Sequence, residues 1–503
     1  MLAHAAMGDR LSLIRSSVAQ FAVLLAVGLA LRAYTFGDPN LFIDEAFYFA
    51  AGNAMHHGAF PYVDIWDRKP FGLFAIYYLI AGVSNSPAAY QIAATLFAAL
   101  TAWTIGRIVR LWSEWPGVLG AGIAYLFLLA PFQGFGGQTP VFYNLFIAVA
   151  ALLVVKSTPA LREGRLPSAI PLAMLSAGVA ITIKSTALFE AAFLGLFALA
   201  ALWHSPAPLA ARLKLGAGWA LIGTLPTLAI MGSYALAGHW SEYWQAMTGA
   251  NLASDRWDAY SAQIRFRLML NALAPLLALA AFGVLELQGP TRRFLVLWIG
   301  AALIGLAAFP YFHMHYALPL LVPLCVAAGA FFARKWIGPL ALVALCALSF
   351  SRSPALDWDH TARSKAAMER LATAIRAHSG ERSLLVYEGP PFLYTMTGQP
   401  FPSPLAFPAH LYHGIERDVS HLNTLAEVKR VIATRPGAVV MTEEPRDGPL
   451  NEETHAVVDG YVRANCRLVA REEAPERLRA DQVLVWGNCA QSKGAPDRSG
   501  APS

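Results

Sequence analysis

Residues 41–72, LFIDEAFYFAAGNAMHHGAFPYVDIWDRKPFG, set Asp44, Glu45, Asp64, Asp67, Arg68 and Lys69 into one loop between apolar runs. Only 14% of the 503 residues are charged, so this loop gathers the groups that cost most to bury. A carboxylate can take a proton from an attacking hydroxyl, and cations can hold the oxygens of a departing anion. Asp44 opens a helical-looking run and would equally serve as an N-cap. Capping does not account for Asp64, Asp67, Arg68 and Lys69 twenty residues on. A helix of about a dozen residues and a turn at Gly58–Pro61 would fold the two clusters together.

Lys184 is the next candidate, in GVAITIKSTALFEAAF, inside an apolar stretch running from 168 to 203. Two spans end to end put Lys184 at the turn between them. An ionisable residue there is a functional candidate, with snorkelling to the interface as the plainer account. Glu190 lies off the face of Lys184 on a continuous helix, and either lines a cavity or pairs with another span. In FPYFHMHYALP, His313 and His315 share a side only if the chain is extended, and Tyr316 follows. Interfacial aromatics explain this segment without chemistry, as they explain Trp240, Tyr243, Trp244 and Trp257 in the loop 238–267. No phosphate-binding loop, dinucleotide fingerprint, Gly-x-Ser-x-Gly or His-Glu-x-x-His occurs.

The elements that must position these groups are membrane helices. Hydrophobic residues make up 56% of the chain and its mean hydropathy is +0.46. Apolar runs near the ~20 residues that cross a bilayer recur from 18 to 351. They predict about eleven crossings: 18–36, 88–111, 116–132, 139–155, 168–183, 186–203, 215–237, 268–287, 294–309, 314–333 and 336–351. The run 70–83 is too short to cross and reads as an interfacial or re-entrant helix. With the N-terminus (Arg10, Arg15) in the cytoplasm, thirteen of the Lys and Arg before residue 352 fall inside and seven outside. That puts the 37–72 loop, the 238–267 loop and the C-terminus on the outer face. The net charge of +6 is mostly this orientation signal, and nothing in the pattern suggests nucleic acid.

Composition changes near residue 352. Residues 1–351 form the membrane part; 352–489 have the makeup of a small α/β domain outside the membrane, and 490–503 read as a disordered tail. Strands are expected at 383–388, 438–443 and 482–487, and helices at 361–378 and 421–434. Cys466 and Cys489 fall in the outside part, where a disulfide could form; Cys325 and Cys346 fall in spans as small apolar residues.

These pieces suit a sugar carried on a polyprenyl phosphate, its tail in the bilayer and its phosphate at the outer face. Phosphate leaves without a general acid, so the needs are a base and positive charge. Asp44 and Glu45 are the acid–base candidates; Lys69, Arg68 and Lys184 would contact phosphate; Tyr62, Asp64, Asp67, His313, His315 and Tyr316 would line the substrate site. A divalent metal ion bridging Glu45 or Asp67 to the phosphate stays open, as does the oligomeric state. The order Asp44-Glu45-Ala46-Phe47-Tyr48, then Pro61-Tyr62-Val63-Asp64-Ile65-Trp66-Asp67-Arg68-Lys69-Pro70, resembles the bacterial GT-C glycosyltransferases. The nearest groups are relatives of protein O-mannosyltransferases and of the lipid A aminoarabinose transferase. The resemblance covers 15–351 and implies a polytopic α-helical GT-C fold in the cytoplasmic membrane. It also implies catalysis by Asp44, phosphate contacts from Lys69 and Lys184, and a lipid (lipopolysaccharide-type), glycan or protein acceptor at the periplasmic face. Phe71 stands where many relatives carry a second proline. A flippase for lipid-linked saccharides is the alternative; it would spread charge near the midplane and show repeat symmetry.

Overall fold

The computed structural model of the chain describes residues 17–250, 259–353, 355–444, 448–477 and 479–489. Arg10, Arg15, Trp257 and the 490–503 tail lie outside the described residues. Helices of ten or more residues run in the order α1 (Ser17–Arg32), α2 (Ile43–His56), α3 (Phe71–Ala81), α4 (Pro87–Val109), α5 (Trp115–Leu128), α6 (Thr139–Arg162), α7 (Ala169–Ile183), α8 (Leu188–Trp203), α9 (Leu209–Leu236), α10 (Ala259–Glu286), α11 (Gly289–Ala307), α12 (Leu318–Phe332), α13 (Ile337–Ser351), α14 (Trp358–His378), α15 (Thr424–Ala433) and α16 (Glu452–Asn465). Proline in the first turn of α4, α5, α6 and α11 starts those helices where its missing N–H costs nothing.

Among the described residues, eight helices are long and apolar enough to cross a membrane: α1, α4, α6, α8, α9, α10, α11 and α12, some with an adjoining 3₁₀ turn. The remaining three of the eleven expected crossings correspond to α5, α7 and α13, which have 14, 15 and 15 residues. At 1.5 Å per residue they reach about 21–23 Å, short of the ~30 Å core. α5 stops at Leu128, before its apolar run ends, and α7 ends where Lys184 turns extended (φ −150°, ψ 126°). The 70–83 run is the 11-residue α3.

The C-terminal region forms a four-stranded sheet in the order β1-β2-β4-β3: β1 (Leu384–Val386), β2 (Ala438–Thr442), β3 (Arg467–Glu476) and β4 (Arg479–Gly487). β1 and β2 are parallel, joined through α15, and β4 is antiparallel to both its neighbours. Asp357, Asn423 and Asn451 cap α14, α15 and α16 through side-chain oxygens. β3 escaped sequence reading because RLVAREEAPE is an edge strand with three acidic and two basic residues, lacking apolar alternation.

The sheet and α14 are tied to the chain that leaves α1. Ser364 donates to Asp38, Thr361 donates to the Tyr34 carbonyl at 2.6 Å, and Arg477 donates to Thr361 and lies 3.8 Å from Asp38. Ile43 N–H donates to Glu476 at 2.9 Å and Trp66 N–H to the Pro404 carbonyl at 2.8 Å.

A disulfide joins Cys466, at the end of α16, to Cys489 after β4, across 23 residues. Replacing both cysteines with serine is expected to lower the stability of the C-terminal region by about 3 kcal/mol. Unfolding curves of the wild type with and without reductant, set beside the double variant, check this.

Candidate active site

The first loop doubles back on itself. Asp44 and Glu45 sit in the first turn of α2, whose N-cap position is Phe42, so Asp44 does not cap the helix. The chain turns at Gly58 (φ +93°), where a side chain would be strained. It returns through a tight turn: Asp64 accepts the Phe60 N–H at 2.8 Å, and Tyr62 N–H bonds the Ile65 carbonyl at 2.7 Å. Asp64 is therefore spent on its own turn and is absent from the cavity lining. Tyr62 is buried with a positive φ of 68°, and its hydroxyl donates to the Lys69 carbonyl at 2.9 Å. It positions the lysine's backbone, a strained conformation held by its surroundings.

Asp67 closes the loop. One carboxylate oxygen accepts the Tyr48 hydroxyl from α2 at 3.2 Å, the other accepts the Lys69 N–H at 2.9 Å. Beside it opens a cavity of about 280 Å³, lined by Arg68, Lys69, Lys184, His313, Tyr316 and Glu416 at its charged end and by Tyr143, Ser185, Thr186 and Glu190 farther along. The Lys184 ammonium lies 4.5 Å from the centre of the Tyr316 ring, and that of Lys69 5.8 Å from the centre of Tyr48. Burial disfavours the Lys69 ammonium, but Asp67 and Asp44 outweigh it and raise its pKa, so it stays charged. Asp44 is half-buried and not itself in the lining, but it lies close enough to Lys69, Asp67 and Lys184 to interact with their charges. Burial raises its pKa, Lys69 and Lys184 lower it, Asp67 raises it, and it ends above the ordinary value. That direction makes it a better base than a free carboxylate.

Glu45 serves a different neighbourhood. It is buried, and a Cβ added to Gly136 would fall 1.9 Å from its Oε2, so only glycine fits there. Arg32, from the end of α1, is buried nearby; its guanidinium donates to the carbonyls of Gly134 and Gly136 and to Thr95. Burial pushes Glu45 up to about 8, with Gly137 N–H and Arg32 pulling the other way. Glu45 is absent from the lining, and its surroundings make it a support for the 134–137 turn. Among the described residues no three His, Cys, Asp or Glu side chains gather as a metal set.

Glu190 lines the cavity together with Lys184 because the chain is extended at 184, and it also accepts the indole N–H of Trp298 on α11 at 2.7 Å. His313 and His315 share a side, their rings stacked 5.7 Å apart, as extended chain at 313 allows. His315 bonds Gln133 at 3.2 Å and stays out of the lining, whereas His313 and Tyr316 are in it. Tyr243 packs on Tyr234 and Tyr62, while Trp240 and Trp244 stack at the surface. Sequence reasoning missed Glu416 and His410, which lie in or just after the Pro- and aromatic-rich stretch 389–413. It counted Arg32 only for orientation, although an arginine at the end of an apolar span was a signal to seek its partner.

The chain aligns in structure with ArnT from Cupriavidus metallidurans bound to undecaprenyl phosphate: TM-score 0.63, 15% identity, 95% of this chain and 99% of that one. Apo ArnT from the same organism gives 0.61, 14%, 97% and 100%. This chain has the GT-C fold. The apo oligosaccharyltransferase of Archaeoglobus fulgidus is also similar in fold, at TM-score 0.50 and 10% identity over 85% of this chain and 69% of that one. No family model and no curated protein sequence matches the chain. At these identities the likeness carries the fold alone, and the chemistry has to come from the site.

A carboxyl with a folded pKa near 8 and an ordinary unfolded one costs stability as pH rises between those values. Glu45→Gln is therefore expected to match the wild type in stability at pH 4 and to exceed it at pH 8–9, read from melting temperatures across that range. A wild-type advantage at pH 9 would mean that the ionised form is the one the fold holds.

Proposed function

We propose that the protein is a membrane glycosyltransferase that moves a sugar from a polyprenyl-phosphate donor to a lipid, glycan or protein acceptor at the outer face of the cytoplasmic membrane. The observation that carries this reading is the Asp44 carboxyl beside a cavity walled by Arg68, Lys69 and Lys184. Undecaprenyl phosphate is bound by the ArnT to which this chain is similar in fold, which supports a polyprenyl phosphate as the lipid. The excess of Lys and Arg in the alternate loops supports the outer face.

In this reaction the acceptor hydroxyl oxygen attacks the anomeric carbon while the bond from that carbon to the phosphate oxygen breaks. Asp44 takes the hydroxyl proton. The bonding pair leaves on the phosphate, whose growing charge is met by Lys69, Arg68 and Lys184. Asp67 and Tyr62 position Lys69, one through its N–H and the other through its carbonyl. One displacement inverts the anomeric centre. Three resident cations already answer the phosphate, so transfer is expected to persist in EDTA.

The test is transfer from a panel of radiolabelled polyprenyl-phosphate sugars to membrane acceptors. Asp44→Asn is expected to fold normally and lose about 10²–10⁴-fold in rate. Lys69→Met is expected to lose about 10²-fold or more. Equal transfer by wild type and Asp44→Asn would remove Asp44 from the chemistry. No transfer from any donor would favour flipping of lipid-linked saccharides, read next in a vesicle assay.

A further inference from the structure

Glu416 stands 348 positions from Arg68 in the sequence and comes from the C-terminal region, yet it lines the same cavity. Arg68 Nη2 donates to Glu416 Oε1 at 2.6 Å, and the two side chains are 28% and 13% exposed. On its other side Glu416 Oε2 lies 3.5 Å from His410 Nδ1, and His410 Nε2 lies 3.9 Å from Asp67. Burial opposes the Glu416 charge, but His410 and Arg68 outweigh it and hold the carboxyl down at about 2.

Counted as formal charges, the groups around Arg68 nearly cancel, although burial lowers the pKa of the Lys184 ammonium to about 7 and Glu190, bonded to Trp298, also lines the cavity. Arg68, Lys69 and Lys184 are answered by Asp44, Asp67 and Glu416. Asp67 is held by Tyr48 and the Lys69 N–H, and Asp44 is held in the first turn of α2. Glu416 is different: it ends a three-residue 3₁₀ turn, Gly414–Glu416, and pairs with a cation that faces the cavity. A phosphate entering this site adds negative charge, and it can take the Arg68 guanidinium only if Glu416 gives that cation up. The donor is a phosphodiester with one negative charge, and the product is a monoester that carries up to two near neutral pH. The demand for Arg68 is therefore greater after the reaction than before it, which would hold the product in place.

We propose that Glu416 is the resident counter-anion of Arg68, yielding the guanidinium to the substrate's phosphate and reclaiming it to expel the polyprenyl monophosphate product. This rests on the polyprenyl-phosphate reading above. His410, between Glu416 and Asp67, is the group that meets the displaced carboxylate. Glu416 is on this view a positioning residue whose negative charge, beyond its hydrogen bond, sets product release.

The full chain in lipid nanodiscs is titrated with undecaprenyl phosphate. Glu416→Gln keeps an oxygen for Arg68 and removes the charge; it is expected to bind about tenfold tighter than wild type, within the usual range of coupling between sites. Glu416→Asp keeps the charge and is expected to bind within about twofold of wild type, which separates charge from misfolding. In an Arg68→Gln background the Glu416→Gln gain is expected to vanish. In turnover, Glu416→Gln is expected to lower kcat and KM for the donor together. Saturable wild-type binding with equal or weaker binding by Glu416→Gln overturns the proposal and leaves Glu416 as a brace for Arg68. No saturable binding by the wild type overturns the donor reading, and this one with it.

Discussion

The bond between the Tyr48 hydroxyl and Asp67 is the contact on which the site depends. It joins α2 to the returning strand of the first loop and so brings Asp44 and Lys69 into one electrostatic neighbourhood. Bringing carboxylates and cations together away from bulk water is costly for each alone and tolerable for the set, because the charges cancel. The result is a site whose geometry is fixed by its own electrostatics. Removing one member exposes the others to an uncompensated field, so the residues around Asp67 act as a unit.

A second set of polar contacts makes the C-terminal region part of that unit. Asp38, Ser364, Thr361 and Arg477 anchor α14 and the strand hairpin to the chain between α1 and α2, and Glu476 takes the Ile43 N–H one residue before Asp44. Trp66 is fixed to Pro404 one residue before Asp67. Both acids of interest are thus flanked by backbone bonds to chain more than three hundred residues away. A C-terminal region attached this way shapes the cavity wall, and Glu416 and Ile415 are its contribution.

Much of this was legible in sequence. Apolar length gave the helices, with α5 ending at Leu128, before its run does, and α7 and α13 as short as their runs. The two charged clusters and Lys184 were visible because charge is rare in the chain, and any concentration of it stands out. The separate fates of Asp44 and Glu45 were not visible. They are adjacent in one helical turn, about 100° apart around its axis, so one faces the cations and the other the Gly134–Gly137 turn. Asp64 looked like a site residue because it is charged, and its role is local turn closure. Glu416 and His410 could not be found from spacing, since only the docking of the C-terminal region brings them to Arg68.

The extended backbone at Lys184 has a consequence for side reactions. Lys184 itself keeps its N–H on the Ala180 carbonyl and its carbonyl on the Ala187 N–H, but a break between two apolar helices interrupts the helical ladder, and backbone left unpaired in a membrane is tolerated only within protein or beside water. The cavity at Lys184 is therefore a notch where water could meet such groups. On the proposed reaction, water in that notch competes with the acceptor for the same base and the same anomeric carbon, and each success hydrolyses a donor to no purpose. How closely Ile415 and Glu416 roof the notch then sets the fraction of donors wasted, a measure of fidelity separate from rate.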